Sequence, residues 1–336
     1  MFKSLLSRFA SRFENRVIVL MYHRIANRNS DPWQIAVSPE NFEQHLQILK
    51  KSYQVISIPD LVRQLENKKI ETNCVCITFD DAYCDNYLYA KPLLEKYELP
   101  ATFFVASDYI GQNKQFWWDE LEKIILHSER LPFKLSTTIG GQPFEFNLEK
   151  EHLVLEDKEK HRTWIWEELP PTSRCELYLE LWKALKPLQE IDIDGALTEI
   201  RKWALYRPNF NKEDVAMSNV QLQEMCNNPL FTIGIHTLSH PALATQGEIL
   251  QANEITGCKK FLEDLNRQTV HTIAYPYGSY NEVTLSVVAK EKLAAGFTTQ
   301  AQVVNKSSKL FELGRFQVVN QDSEGFEKSL SGWFQT

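Results

Sequence analysis

The feature that most restricts the fold is a stretch of seven residues in which an apolar run ends in two adjacent carboxylates, Val75-Cys76-Ile77-Thr78-Phe79-Asp80-Asp81. A continuous apolar run of this length is typical of a strand that is buried on both faces. Neighbouring acids repel each other unless a cation or hydrogen bonds offset their charge. The stretch therefore favours a metal site, but from these residues alone a carboxylate that caps the next helix is an equally good interpretation.

Similar strand-like runs alternate with helical patterns on both sides of this stretch. The runs occupy residues 17–22, 55–58, 101–106, 230–235, 270–274, 296–299 and 313–319. An alternation of strands and helices predicts an α/β fold with a parallel sheet or barrel. We assign residues 17–129 and 216–336 to this barrel.

The alternation is interrupted between residues 130 and 215. A hairpin is predicted around Gly140-Gly141, followed by helices near residues 157–168, 172–188 and 193–206. We interpret 130–215 as an inserted hairpin-plus-helices subdomain over one end of the barrel, with a candidate role in shaping a substrate groove. His152 and His161, which lie in it, are predicted to be surface residues.

Charge and cysteine content restrict the classes of function. A formal net charge of −7 argues against a protein that binds nucleic acid through a general positive field. The six cysteines have no paired spacing typical of zinc, so we expect free thiols and a cytoplasmic protein. No stretch approaches the ~20 apolar residues that a transmembrane helix needs.

Residues 1–16 have the pattern of a short basic amphipathic helix, with apolar side chains on one face and four basic residues between them. Such a helix can lie on an anionic membrane surface. The alternative is an end helix that packs on the protein itself. The pattern therefore makes peripheral contact with the inner face of the membrane a candidate property.

Polar residues collect at four predicted strand ends: His23-Arg24, Asp80-Asp81, His236 to His240 and Tyr275 to Gly278. In a barrel of parallel strands these ends lie at one mouth, where active sites form. Two histidines four residues apart can bind one ion, and an added carboxylate gives a site with positions open for water and substrate. The alternative is a pair of histidines that only cap a turn before Pro241.

Three of these segments resemble the first three motifs of the polysaccharide deacetylases, the NodB-homology family. They are Thr78-Phe79-Asp80-Asp81, His236-Thr237-Leu238-Ser239-His240 and Ala274-Tyr275-Pro276-Tyr277-Gly278. Met21-Tyr22-His23-Arg24-Ile25 resembles the opening motif of a circularly permuted branch of that family. The resemblance covers roughly residues 17–125 and 215–320. It implies a distorted (β/α)7-type barrel and metal-dependent hydrolysis of an N-acyl group on a sugar.

By motif matching, the resemblance also implies roles for individual residues. Asp81, His236 and His240 would bind one divalent ion, zinc in the first place and cobalt or nickel as alternatives. Asp80 would be the general base that activates a metal-bound water. In the permuted branch the histidine of the Tyr-His motif would be the general acid, which here is His23.

Two further predictions concern the substrate and the oxyanion. A backbone N–H near Tyr277 would help to hold the oxyanion, and Arg24 is assigned to the same substrate-facing group. Where the third motif usually carries an arginine that orients the base, this chain has Ala274, and Arg24 or Arg315 could take its place. Many relatives have Gly where this chain has Ala82. No match to the fourth or the C-terminal motif is found.

The expected function is removal of an N-acetyl group from an acetamido sugar in a polysaccharide, an oligosaccharide or a lipid-linked saccharide. One alternative is a catalytically silent glycan-binding module on the same barrel. Another is a phosphohydrolase with Asp80 as nucleophile, but such enzymes generally have an Asp-x-Asp pattern that is missing here. No nucleic-acid partner is expected.

Overall fold

The computed structural model describes residues 15–209 and 212–336. The amphipathic helix predicted for residues 1–16 therefore lies outside the described residues, except for its last two positions. Within the described ranges, no helix combines the length and the apolar character needed to cross a membrane.

The strands and helices follow each other in the alternating order that the sequence predicts. In chain order the strands are β1 (Val17–Tyr22), β2 (Arg24–Ile25), β3 (Ala36–Val37), β4 (Gln54–Val55), β5 (Cys74–Phe79), β6 (Ala101–Val105), β7 (Lys134–Ile139), β8 (Gln142–Asn147), β9 (Phe231–Ile235), β10 (Thr272–Ala274), β11 (Ala295–Phe297) and β12 (Phe316–Gln317). The α-helices are α1 (Pro39–Ser52), α2 (Ile58–Glu66), α3 (Lys91–Tyr97), α4 (Trp117–Glu122), α5 (Leu155–Thr163), α6 (Ser173–Leu185), α7 (Glu190–Ala204), α8 (Asn219–Cys226), α9 (Glu248–Asn266), α10 (Glu282–Lys290) and α11 (Ser323–Trp333). Short π-helical turns precede α3 and follow α4.

Seven parallel strands form one curled sheet in the order β11-β10-β9-β6-β5-β1-β12, and β4 pairs with the first residues of β5. At the far edge, Phe297 and Leu313 form a parallel bridge that brings the end of β11 to the segment before β12. The central strands β1 and β5 are buried along their whole length, as their apolar runs predict. This architecture confirms the distorted (β/α)7-type barrel.

The register between β1 and β5 determines which residues meet at the mouth of the barrel. Tyr22 lies opposite Phe79, so His23 and Asp80 are the next residues on the two strands. The Asp80 N–H donates to the Tyr22 carbonyl over 3.0 Å, which continues the pairing by one step. The sheet therefore brings the ends of β1 and β5 side by side.

Helix starts follow from local sequence. Ser38 caps α1, accepting a hydrogen bond from the Asn41 N–H, and Pro39 occupies the first turn. Ser218 caps α8 in a reciprocal capping box with Gln221. Both starts agree with the prediction from the sequence.

The segment of residues 130–215, called the inserted segment below, contains the predicted hairpin and three helices. β7 and β8 are antiparallel, and the turn uses Gly140 and Gly141 at φ values of 56° and 77°. The division of the chain into a barrel and a separate inserted unit stays a prediction. All six cysteines are free, as predicted.

One prediction within the inserted segment is wrong. His161 is buried, with Nδ1 3.0 Å from the Leu126 carbonyl and Nε2 2.8 Å from Thr172 Oγ1. It joins α5 to the segment after α4 and to the start of α6. His152 is exposed, as predicted.

Candidate metal and catalytic site

Three possible metal ligands converge at the mouth of the barrel. Asp81 follows β5, and His236 and His240 follow β9, and each offers a ligand atom within 4.8 Å of the others. The Nε2 atoms of His236 and His240 lie 3.4 and 3.3 Å from Asp81 Oδ1. All three side chains are buried. The structure therefore brings together the residues that the sequence suggested as ligands.

Hydrogen bonds around these residues leave ligand atoms available. His236 Nδ1 lies 2.8 Å from the Ala274 carbonyl. Because a carbonyl can only accept, this nitrogen carries the proton and Nε2 keeps its lone pair. Asp81 Oδ1 makes no hydrogen bond of ordinary geometry although it is buried, a situation that costs about 1–3 kcal/mol if nothing else compensates. Two imidazoles and one carboxylate with such unpaired atoms fit a catalytic divalent ion such as zinc.

The charges in the site favour an ionised carboxylate. Burial raises the pKa of Asp81, but His240 and His236 together bring it below its usual range. Burial lowers the pKa of His236, but Asp80 and Asp81 more than reverse this effect. For His240 burial is stronger than the attraction of Asp81, and its pKa falls. A cation would have to compete with a proton for His236 more than for His240.

Asp80 has a different environment from its neighbour. Arg315 Nη1 donates to Oδ1 and Nη2 donates to Oδ2, each over 2.7 Å, which is a bidentate pair. Arg315 is itself fully buried and also donates from Nε to the Thr298 carbonyl. Burial raises the pKa of Asp80, but Arg315 is the main group that brings it below its usual value. The structure thus selects Arg315, and not Arg24, as the arginine that orients Asp80.

His23 is a further neighbour of Asp80, with Nε2 4.0 Å from Oδ2, the oxygen that also accepts from Arg315 Nη2. Its side chain keeps 16% of its surface exposed, whereas those of Asp81, His236 and His240 keep 3 to 6%. Burial lowers the pKa of His23, although Asp80 and Asp81 oppose this effect. The structure therefore brings His23 next to Asp80, on the more open side of the site.

Arg24 does not lie in this group, and its assignment to the substrate or the oxyanion stays a prediction that its surroundings do not support. Its guanidinium donates to Asp85 over 2.9 Å, lies 3.6 Å from Asp119, and covers the ring of Tyr83. The side chain is 1% exposed. A cavity of about 370 Å³ borders Arg24, but its walls include none of the six residues described above. Arg24 therefore stabilises the packing behind the site.

Tyr277 covers one of the ligands. Its ring centroid is 4.5 Å from that of His240, and the ring of Trp118 lies 4.7 Å from His240 on another side. Tyr277 belongs to the short turn after β10 and is half-buried. The predicted oxyanion contact at its backbone stays a prediction, but the residue does border the ligand cluster.

The backbone is strained where the site is formed. Five non-glycine residues here have left-handed φ values between 57° and 72°: Asp81, Ala82, Thr237, His240 and Tyr277. Such conformations cost of order 1–3 kcal/mol each and gather at functional sites. The φ of 58° at Ala82 is one that glycine would adopt without this strain.

Glu254 is a contributor that sequence reasoning missed. From α9 its Oε2 accepts hydrogen bonds from the N–H groups of Leu238 and Ser239, each over 2.9 Å. Oε1 accepts from Ser239 Oγ over 2.6 Å. The carboxylate thereby fixes the loop between His236 and His240. A single glutamate on a helix gives no sequence signal of this role.

Comparison with known proteins agrees with this geometry. The model of the polysaccharide deacetylase family matches residues 67–127 and 182–296, more than half of the chain. YxkH of Bacillus subtilis (strain 168) is 24% identical over 302 residues, which cover 89% of this chain and 70% of the relative. The poly-beta-1,6-N-acetyl-D-glucosamine N-deacetylase of Staphylococcus aureus (strain MSSA476) is 20% identical over 339 positions, covering 95% of this chain and 83% of that protein.

Solved structures share the fold. IcaB from Ammonifex degensii superposes with a TM-score of 0.59 at 18% identity, covering 96% of this chain and 98% of that one. The Streptococcus pyogenes deacetylase PplD, solved in complex with acetate, gives a TM-score of 0.53 at 20% identity, with 94% and 98% coverage. With the family model matched over more than half of its length, this chain belongs to the polysaccharide deacetylase family.

Proposed function

We propose that this protein is a metal-dependent N-deacetylase that removes the acetyl group from an acetamido sugar within a glycan. The observation that carries the proposal is the difference between the surroundings of two adjacent carboxylates. Asp81 faces two histidines with an unpaired oxygen, whereas Asp80 is held by both arms of Arg315. A module that only binds glycans needs no oriented base beside a cation site.

Asp81, His236 and His240 would hold the ion. A bound zinc or similar ion would supply Lewis acidity, lowering the pKa of water and polarising the amide carbonyl. The orientation of the ligands comes from the Ala274 carbonyl behind His236 and from Glu254 beneath the loop.

Asp80 is the proposed general base. Its low pKa keeps it ionised at neutral pH, and Arg315 fixes the direction of both oxygens. A carboxylate held in one orientation can accept a proton from an attacking water without first having to reorient.

His23 is the proposed general acid for the departing amine. Asp80 raises the proton affinity of His23 while it is ionised. When Asp80 takes up a proton, this attraction is lost and the pKa of His23 falls further. His23 must therefore carry its proton while Asp80 is still ionised, a form that the charges of Asp80 and Asp81 favour. Once Asp80 has taken up the proton of the attacking water, the protonated His23 is the stronger acid and gives its proton to the departing amine. The backbone near Tyr277 is the proposed donor to the oxyanion.

The names of the relatives support an N-acetylated polysaccharide as the substrate class, because the Staphylococcus aureus relative is a deacetylase of poly-beta-1,6-N-acetyl-D-glucosamine. A lipid-linked saccharide is the alternative form of the substrate. The permuted branch, and membrane contact through residues 1–16, stay predictions.

Acetate release from N-acetylglucosamine oligomers by the zinc- or cobalt-loaded protein tests the proposal. We expect wild type to release acetate and Asp80→Asn to lower kcat by about 10²–10⁴-fold while it still binds one ion. Asp81→Asn, in contrast, should lose both the activity and the bound ion. Asp108→Asn, at an exposed carboxylate, is the control and should retain wild-type activity.

Two outcomes would contradict the proposal. If the metal-loaded wild type binds the oligomers but neither it nor Asp80→Asn releases acetate, the protein is a binding module. If His23→Ala keeps nearly full activity, the assignment of His23 as the acid is wrong.

A further inference from the structure

A row of aromatic rings leads from the metal ligand His240 to the surface of the inserted segment. The ring of Tyr277 lies 4.5 Å from that of His240, and Trp182 lies 5.9 Å from Tyr277. Trp33 follows at 4.2 Å from Trp182, and Trp166 at 5.5 Å from Trp33. We call Tyr277, Trp182, Trp33 and Trp166 the aromatic row.

The aromatic row is partly open to solvent along its length. Tyr277, Trp182 and Trp33 are half-buried, and Trp166 at the outer end is 45% exposed. Rings that served only to pack the inserted segment onto the barrel would be covered. A contiguous, partly exposed apolar surface that continues into a catalytic site is instead typical of a ligand-binding surface.

The aromatic row is also held in place. Trp33 Nε1 donates to Tyr178 Oη over 2.6 Å, and the backbone N–H of Trp166 donates to the Pro32 carbonyl over 3.0 Å. Gln317 Nε2 donates to the Trp33 carbonyl over 2.9 Å. Rigid aromatic side chains give contact area at low entropic cost when a ligand binds.

A polar donor lies beside the inner rings. Lys186 Nζ lies 4.7 Å from the ring centroid of Trp182 and 4.8 Å from that of Tyr277. Within residues 15–209 and 212–336, no carboxylate pairs with it. Its ammonium group can therefore donate to a ligand that lies along the rings. Flat apolar faces with a nearby polar donor match a sugar ring, which has a C–H face and a rim of hydroxyl groups.

We propose that the aromatic row is a set of additional sugar-binding positions, so that the substrate is a glycan chain of several residues that extends from the catalytic site across the inserted segment. The inference rests on the proposed function, since it takes the ligand cluster as the point where the reacting sugar lies. It assigns Trp166 to the outermost sugar and Trp182 to an inner one.

Equilibrium binding tests the inference without requiring activity. The probes are β-1,6- and β-1,4-linked N-acetylglucosamine oligomers of one to six residues, titrated into the zinc-loaded Asp80→Asn protein by calorimetry. Affinity should rise with chain length in at least one series. Trp166→Ala in the same background should weaken binding of the hexamer about tenfold and leave the dimer unchanged.

The controls separate a sugar surface from a structural or lipid-binding one. Phe133→Ala removes another exposed aromatic ring of the inserted segment that lies outside the aromatic row, and it should leave all affinities unchanged. Trp182→Phe keeps an aromatic side chain in the packing and should weaken the binding of the tetramer and of longer oligomers. Octyl N-acetylglucosaminide, one sugar with an alkyl tail, should bind like the monomer.

Three results would overturn the inference: affinity independent of chain length in both series, equal effects of Trp166→Ala and Phe133→Ala, or tighter binding of the octyl glycoside than of the hexamer. Acetate release by wild type is measured separately. If acetate is absent while binding depends on chain length and on Trp166, the proposed function fails and the sugar-binding surface stands.

Discussion

At the scale of single residues, Asp80 and Asp81 differ through their partners rather than through their own chemistry. Both are buried and both have a lowered pKa. One is surrounded by neutral or titrating imidazoles, and the other by a guanidinium that is permanently charged. A cation can therefore replace protons beside Asp81, whereas nothing displaces Arg315 from Asp80. This contrast gives adjacent acids separate proposed roles as ligand and base.

Replacing Arg315 tests the second of these roles. Arg315→Lys keeps the positive charge but cannot form the bidentate pair with Asp80 or the bond to Thr298. Because Arg315 lowers the pKa of Asp80, this pKa should be higher in the variant. The acid limb of the plot of kcat against pH should therefore move to higher pH. We expect kcat at neutral pH to fall about 10–100-fold with little change in KM. Steady-state kinetics as a function of pH would measure both effects.

Arg24→Lys is the matched control, because Arg24 is also fully buried and also holds an aspartate, Asp85. This variant should lower thermal stability but leave the acid limb where it is in wild type. An acid limb that stays fixed in Arg315→Lys, or moves equally in both variants, would contradict the role of Arg315.

At the scale of secondary-structure elements, α9 supports the proposed metal site without contributing a candidate ligand. Glu254, buried in α9, accepts three hydrogen bonds from residues 238 and 239 of the loop that carries both histidines. The loop also contains the left-handed residues Thr237 and His240. A loop with such a backbone needs outside support to keep one conformation.

Glu254→Gln should therefore weaken metal binding. The neutral side chain loses the charge-assisted bonds, each worth about 1.5–3 kcal/mol, and keeps only one oxygen that can accept a hydrogen bond from the loop. We expect zinc affinity to fall about 10–100-fold, measured by competition with a chromogenic chelator. Glu248→Gln, at an exposed position in the first turn of α9, is the control. Equal zinc affinities in wild type and Glu254→Gln would rule out the supporting role.

At the scale of the whole molecule, His45 couples stability to pH. It lies in α1, with Nδ1 3.2 Å from Tyr22 Oη in β1 and Nε2 2.7 Å from the Gln321 carbonyl, and its ring stacks on Phe326 in α11. Burial lowers its pKa to about 4. The unfolded chain therefore binds more protons than the native protein between pH 6.5 and pH 4. The contribution of His45 to stability is complete above pH 6.5 and is lost as pH falls towards 4.

The free energy of unfolding should fall by up to about 3 kcal/mol across this range because of His45. Urea denaturation of wild type and His45→Gln at several pH values measures this contribution as the difference between their slopes. Burial raises the pKa of Asp31 to about 6, so this residue changes the stability in the opposite direction. Its contribution is the same in both proteins and cancels in the difference between them. Parallel profiles for the two proteins would show that His45 is not responsible. His152→Gln, at an exposed site, should retain the wild-type slope.

Much of the barrel was predictable because the sequence patterns that specify its strands and helix starts each lie within a few consecutive residues. Apolar runs such as 75–79 predict buried strands, and the polar residues at their ends share one mouth by topology alone. The convergence of Asp81, His236 and His240 follows from this rule. The paired caps at Ser38 and Ser218 are equally local.

The remaining parts depend on contacts between distant residues. Arg315 was one of two candidates to orient Asp80, and only the packing of β12 beside β1 decides between them. Arg24 follows His23 directly, but successive residues of an extended strand face opposite sides, and Arg24 pairs with Asp85 instead of Asp80. No sequence pattern near His161 or Glu254 indicates which residues they contact. The aromatic row likewise joins residues from three separate parts of the chain.

The pairing of Asp80 with Arg315 joins positions 235 residues apart. Chains are synthesised from the amino terminus, so a nascent chain contains both aspartates and both ligand histidines well before it contains this guanidinium. Until β12 pairs with β1, the two carboxylates lack the group that distinguishes them. In an unfinished chain the proposed ligands would be present without an oriented Asp80, and the complete proposed site would form only with the last strand of the barrel.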